Sequence, residues 1–450
     1  MIKKTDKEQK IKINTVTNER FHNASGTKVT LYSDKHAKLL LEITTFLFWF
    51  SLYTYPSIFS PYLKELKIST GVIGIILGSY GLSQAIFRIP IGIFSDKMKD
   101  RKSFVILGIV FSVISALGLL FFKHPGLIFF SRLFAGVASS TWVAFSVLYP
   151  SYYKQSESSE AISRIFIFQG AGTMSAMFLG GMIAENFGWE ASFVAGGVTA
   201  LIALLMSIFI KDDSKNVINV KAPECKDKPA NQNCKSIGCC EESSSTSAVT
   251  AKSNETSTMT IRSLISVIND PTLLMVSFLA ILMQFNNTAT VIGFTPLYAE
   301  TIGANRFQLG LLTFFSQLPG IFASMIGSKG VYIKIGEKKT ITVAFFLTAV
   351  FSGVIPLVKT MEMMYITQFL NGFFRGILLP VLTGLGIKNI EPAKRATALG
   401  AFQAIYAIGI VAGPIIFGLI SQATEMWVGF LSAGAISLIG SIIALVALKE

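Results

Sequence analysis

Of 450 residues, 51% are hydrophobic and only 14% are charged, with a formal net charge of +13. Soluble domains carry roughly 25% charged residues, so an ordinary soluble fold is excluded. In a soluble chain this positive excess would point to nucleic acid, but here the charges cluster in a tail and in alternate turns between apolar blocks. Topology is the better explanation, and no nucleic-acid partner is expected.

Residues 1–36 read as a solvated basic tail with Lys3, Lys4, Lys7, Lys10 and Lys12 among polar residues. No cleavable signal peptide is evident, so the first membrane helix is expected to serve as its own insertion signal. Twelve apolar blocks follow, at 37–62, 71–94, 103–122, 126–150, 161–186, 190–211, 270–298, 305–328, 339–359, 361–387, 395–421 and 426–448. Each has the length of about 20 residues that crosses a hydrocarbon core as helix. The expected fold is therefore an all-α membrane protein of twelve transmembrane helices.

Charge tests the count. One set of turns holds Lys97, Lys99, Arg101, Lys102, Lys154, Lys329, Lys334, Lys338, Lys339, Lys388, Lys394 and Arg395. The other holds only Lys64, Lys67, Lys123, Arg306 and Lys359. Strict alternation of this bias predicts a multi-pass protein of the cytoplasmic membrane with both termini in the cytoplasm.

Residues 212–268 form a polar linker too hydrophilic to bury a core. The chain then divides into the tail (1–36), an N-terminal six-helix half (37–211), the cytoplasmic linker (212–268) and a C-terminal six-helix half (269–450). The halves echo one another at an offset of about 235 residues: Phe59 to Leu63 (FSPYL) with Phe294 to Tyr298 (FTPLY), and Ile91-Gly92 with Ile326-Gly327. Arg132 to Gly136 (RLFAG) matches Gln368 to Gly372 (QFLNG), and Gln169 matches Gln403. Such six-helix pseudo-repeats mark transporters whose site lies between two rocking halves.

The turn after span 2 carries Gly92, Asp96, Lys97, Lys99, Arg101 and Lys102. It resembles the loop signature of the major facilitator superfamily, Gly-x-x-x-Asp-(Arg/Lys)-x-Gly-(Arg/Lys)-(Arg/Lys). Gly92, Asp96 and Lys97 match; Lys99 replaces the second Gly, and the trailing basic pair is slipped by one place. RLFAG resembles the family's helix 4 motif, the run Gly170, Gly172, Gly180 and Gly181 its Gly-rich helix 5 motif, and Gly188 to Phe193 (GWEASF) its turn into helix 6. The Gly-Pro pair often found in helix 5 stands instead at Gly413-Pro414 in helix 11.

The resemblance implies alternating access, a central cavity lined by helices 1, 4, 7 and 10, and a conformational latch at Gly92, Asp96, Lys97 and Arg101. In such a latch Asp96 meets the positive N-terminal end of helix 11, where Lys394 and Arg395 stand; an anion there is favoured by about 0.3–1 kcal/mol. The bland alternative is a surface Asp among lysines.

Ionisable residues inside spans are costly, so each is a functional candidate. Glu42, Arg88, Arg132 and Arg375 stand out. At about 1.5 Å per residue, Glu42 and Arg88 lie about 12 and 9 Å to the same side of their span centres. They are candidates for a charge pair, or Glu42 for proton coupling. Arg132 and Arg375 fall on the cavity-lining helices, with Tyr53 and Tyr55 (helix 1), Gln284, Asn286 and Asn287 (helix 7), and Gln368 and Asn371 (helix 10). Residues 368, 371 and 375 share one helical face; such polar stripes also glue helices together. With more arginine than glutamate, the pocket is expected to favour small organic substrates bearing carboxylate or phosphate.

Cys225, Cys234, Cys239 and Cys240 share the linker. Four thiolates suffice for a soft-metal site, but their spacing is not that of paired Cys-x-x-Cys, and incidental cysteines are the alternative. No cofactor is expected. With no His, no Cys and one Glu in the spans, an enzyme is disfavoured. The first reading is proton-coupled efflux by a monomer. Organic-anion uptake or exchange, and a non-transporting sensor that uses the Cys-rich linker, are the alternatives.

Overall fold

The computed structural model describes residues 35–98, 100–153, 157–210, 212, 270–328, 335–388, 390–391 and 395–448. The apolar blocks form twelve helical segments, each boundary within five residues of the predicted one. In the first half they are α1 (Lys35–Tyr53, then Pro56–Glu65), α2 (Thr70–Met98), α3 (Arg101–Phe121), α4 (Pro125–Ser140, then Trp142–Leu148), α5 (Ser158–Phe187) and α6 (Trp189–Ile208). In the second they are α7 (Pro271–Ala289, then Thr295–Thr301), α8 (Arg306–Ser328), α9 (Glu337–Val354), α10 (Met361–Lys388), α11 (Arg395–Ala423) and α12 (Met426–Ala447). Among the described residues, ten are long and apolar enough to span a bilayer by length and composition alone. The interrupted α1, and α8, complete the set.

Local chemistry sets the ends. Asp100 accepts from the Ser103 amide (3.2 Å) to cap α3, and Asp270 accepts from the Leu273 amide (2.8 Å) ahead of Pro271 to cap α7. Each satisfies an amide that a helix start leaves open. Gly188 joins α5 to α6 at φ +91°, a conformation that side chains resist. Two helices are interrupted at matching places in the repeat. α1 breaks at Thr54-Tyr55 ahead of Pro56, and α7 carries a π-helical turn at Thr290–Phe294.

We call the end bearing Lys35 and Leu448 basal and the other end upper. With no hydrophobic drive between helices in lipid, close packing needs small residues. At the upper end they bring the halves into backbone contact. A Cβ on Gly181 of α5 would lie 2.7 Å from Gly310 Cα of α8, and one on Gly74 of α2 would lie 3.2 Å from Gly418 Cα of α11. Polar bonds cross the same seam: Ser60 Oγ donates to the Gly293 carbonyl (2.5 Å), and the Gly71 amide to Gln422 Oε1 (2.8 Å). One apolar core there draws on both halves, including Phe59, Phe193, Phe294 and Phe417. Toward the base the core divides in two, one around Phe48, Phe145 and Tyr149 and the other around Phe345, Leu378 and Phe402. The halves are joined above and parted below.

Candidate functional site

The space between the parted halves is a cavity of about 670 Å³. Its walls come from α1, α2, α4 and α5 on one side and from α7, α10 and α11 on the other. Apolar and aromatic side chains dominate, with Trp49, Tyr53, Tyr80, Trp142, Phe402 and Tyr406 among them, as in sites that bury most of a small ligand. Five amides (Gln84, Gln169, Gln284, Asn287 and Gln403) supply hydrogen-bonding groups. Arg88 and Arg132 supply charge, and no Asp or Glu is among the lining residues.

Arg132 is placed by the motif around it. Gly136, one turn along α4, packs directly on the Tyr80 carbonyl and the Ser83 hydroxyl of α2, which brings the two helices close enough for Arg132 to reach the Tyr80 ring. The guanidinium lies 4.6 Å from that ring's centre, 5.2 Å from Tyr55 and 5.5 Å from Phe59, and its Nη1 donates to Tyr55 Oη (2.6 Å). Ring faces attract a cation by about 0.5–2 kcal/mol each, which offsets part of the cost of burying it. Its Nε has no hydrogen-bond partner. Arg88, also buried and lining, leaves its Nε unpartnered too. The cavity thus offers positive charge, while the two Nε donors lie buried without partners.

Several sequence candidates sit elsewhere. Arg375 is buried behind the wall; it donates to Asn287 Oδ1, to the Ser316 carbonyl (3.0 Å) and to Gln317 Oε1 (2.9 Å), and it does not line the cavity. Asn286 turns away and donates to Ser352 Oγ (3.0 Å) and the Ala433 carbonyl (3.1 Å), tying α7 to α9 and α12. Gln368 and Asn371 are fully buried, outside the lining, and their amide atoms have no protein partner. Tyr55 is likewise buried and reaches the site only by holding Arg132. Of the helix 7 trio, Gln284 and Asn287 line the cavity.

The expected Glu42–Arg88 pair is not formed. Glu42, 1% exposed, accepts from Tyr149 Oη and from Arg164 Nε (2.6 Å) of α5. Tyr149 is in turn bonded to Tyr153 (2.7 Å), whose ring carries the Lys38 ammonium at 3.7 Å. The reason is facing: Arg88 looks into the cavity from α2, whereas Glu42 looks toward α4 and α5. Arg164, inside the predicted fifth span, is not among the residues the sequence singled out.

In the loop signature, a Cβ on Gly92 would meet Val143 of α4 at 3.6 Å, and Lys97 is exposed. Arg101 opens α3. The Asp96 side chain, Lys394 and the Arg395 side chain lie outside the described residues, as do Cys225, Cys234, Cys239 and Cys240.

Sequence reasoning also missed the α11 wall. Leu399, Phe402, Gln403, Tyr406 and Ile410 recur at helical spacing on one face. The Gln169/Gln403 match between the repeats was the available signal, since both amides enter the cavity.

At the upper seam Arg306, the first residue of α8, stacks on Trp189 (4.2 Å) and donates to the Ala184 carbonyl (3.1 Å). Its backbone amide donates to Glu185 (2.9 Å). Beside it Lys123, in the α3–α4 turn, donates to Glu190 (2.6 Å) and to Tyr62 Oη (3.0 Å). Partial burial opposes the Lys123 charge, but these two acceptors outweigh it and hold the ammonium above its ordinary pKa.

A family model described as Major Facilitator Superfamily matches residues 41–266 and 273–450. The multi-drug resistance efflux pump PmrA of Streptococcus pneumoniae is 25% identical over 350 residues, covering 76% of this chain and 77% of that protein. The quinolone resistance protein NorA of Staphylococcus aureus is 26% identical over 176 residues, covering 39% of this chain and 45% of that one. In fold, the crystal structure of the nucleoside transporter NupG matches with a TM-score of 0.67 at 16% identity, covering 92% of this chain and 100% of that one. A bacterial homolog of the human lysosomal transporter Spinster matches with a TM-score of 0.68 at 13% identity, covering 91% and 94%.

Proposed function

The chain belongs to the major facilitator superfamily, and from that premise we propose that it exports small organic solutes, anionic ones by preference, against protons across the cell membrane. That it is a transporter and not an enzyme follows from the family. The names of the two curated relatives support efflux as the direction. One observation carries the substrate reading: among the described residues, Arg88 and Arg132 line a largely apolar cavity that holds amides but no carboxylate to neutralise them.

In this reading the basal end, flanked by the Lys- and Arg-rich turns, faces the cytoplasm, with both termini and the 212–268 linker on that side. A solute enters the open cavity, its aromatic part lies among Trp49, Tyr80 and Trp142, and its acid group meets a guanidinium. The 1–36 tail, the linker, the two halves on either side of it and an Asp96 latch remain part of the proposal. Glu42 is the carboxylate proposed to carry the proton: it lies within a span, and the partly exposed Arg164 connects it to the basal surface.

The test is solute-driven proton movement in reconstituted vesicles, with anionic and cationic aromatic solutes compared for the wild type, Arg132→Gln and Glu42→Gln. Anion-driven flux is expected. A charge-assisted hydrogen bond contributes about 1.5–3 kcal/mol, so Arg132→Gln should lower the rate at limiting solute by roughly 10- to 100-fold. Glu42→Gln should abolish the proton flux. Flux with cations alone would overturn the substrate reading.

A further inference from the structure

Arg375, like Tyr55, is a cavity candidate from the sequence that the fold buries behind the wall yet still connects to it. Its guanidinium has five N–H donors and no acceptor, and it does not lose its proton in a protein. Whichever atom of Asn287 faces it must therefore be the oxygen. The two amide orientations are otherwise hard to tell apart, but here chemistry permits only one.

The consequence runs along α7. With Oδ1 turned to Arg375, Asn287 presents its Nδ2 group to Gln284 Oε1 at 3.3 Å. Gln284 is then left with its Nε2 group as the free end of its amide. Gln284 and Asn287 line the cavity and Arg375 does not. The guanidinium is fixed from behind by the Ser316 carbonyl (3.0 Å) and Gln317 Oε1 (2.9 Å), both of α8.

We propose that Arg375 is a positioning residue that polarises the Asn287–Gln284 pair, so that the second half's wall presents a hydrogen-bond donor to the solute. It does this without touching the solute. Arg375, Asn287 and Gln284 form a one-way chain in which each group donates to the next, and it ends at a residue that lines the cavity. The first half offers Arg88 and Arg132 and the second offers the Gln284 amide, so each wall contributes a donor. The ligand class that satisfies both is an organic anion with acceptor oxygens at two places, such as a carboxylate opposite a carbonyl or a second acid group. This rests on the anion reading above and adds selectivity from the opposite wall.

The test uses the full chain in vesicles with two probes of matched shape, naphthoate and naphthylmethylammonium, and reads the ratio of their transport rates. In the wild type the ratio should favour naphthoate; a wild type that prefers the cation overturns the anion reading and this inference together. Arg375→Gln can donate or accept, so it frees the chain to reverse, and the ratio should fall by roughly tenfold, the value of one well-placed donor. Arg375→Lys, still donor-only, should keep the ratio even if the total rate drops. Gln284→Glu, at the cavity wall, should invert the ratio. If the wild type prefers naphthoate and Arg132→Gln removes that preference, while Arg375→Gln and Gln284→Glu leave it intact, the anion reading stands and the relay falls. Equal loss of both rates in Arg375→Gln and Arg375→Lys, with no change of ratio, would reduce Arg375 to a structural residue.

Discussion

The two ends of this transporter use the same small residue in opposite circumstances. At the upper end Gly181 meets Gly310 and Gly74 meets Gly418, and any side chain there would collide with the other half. Toward the base a Cβ on Gly384 of α10, or on Gly170 midway along α5, would meet nothing within 4 Å. Glycine within a helix costs about 1 kcal/mol relative to alanine. The upper glycines return that cost as contact in the present conformation and the basal ones do not. Their smallness has its use in an arrangement where the base is shut, as alternating access requires of a protein in this family.

The strongest way to break this contrast is Gly181→Leu. Forced overpacking costs about 1–3 kcal/mol, so transport should fall about tenfold or more. A cysteine placed at the buried Leu297 should become reactive to an impermeant thiol reagent in a chain cleared of its four native cysteines. Normal transport with Leu297 still protected would mean the upper contact is dispensable. Gly384→Leu sharpens the contrast from the other end. Thermal stability should hold or rise by up to about 1 kcal/mol, since the change meets no neighbour and removes a helical glycine, while transport drops several-fold because the base can no longer close. Unchanged turnover would show that Gly384 never meets a partner.

Arg306→Ala should have the smallest effect. It removes a stacked cation worth about 0.5–2 kcal/mol and one bond to a carbonyl, but it leaves the backbone amide on Glu185 and the glycine contacts in place. A rise of a few-fold in labelling at the upper end is expected, with transport largely kept. A loss as large as that of Gly181→Leu would make Arg306, rather than the glycines, the main closure.

The twelve spans were legible because each needs only an apolar run of sufficient length, and the family because its motifs occur in order. The interruption of α1 was signalled by Pro56 but not deducible, and nothing in Thr290–Phe294 announces a π-helical turn. The site was half legible. Arg132, Gln284 and Asn287 were found through their helices, but helical spacing says which residues share a face and not what that face meets. Asn286 and Asn287 are neighbours in sequence, yet one ties α7 to α9 and α12 and the other lines the cavity. For Glu42 the sequence pointed only to Arg88, and the packing of α1 on α5 supplies Arg164 instead.

That packing has a consequence for how the protein is made. Tyr149 and Arg164 follow Glu42 by 107 and 122 residues. At about 5–20 residues per second of synthesis, Arg164 appears roughly 6–24 s after Glu42. Through that interval α1 must reside in the bilayer with a carboxylate whose two partners do not yet exist. Glu42 stands only one to two turns inside the basal end of its helix, near enough for its head group to stay at the lipid–water boundary. The first helix is thus a provisional lodger, admitted before its anchor and fastened only when the fifth arrives.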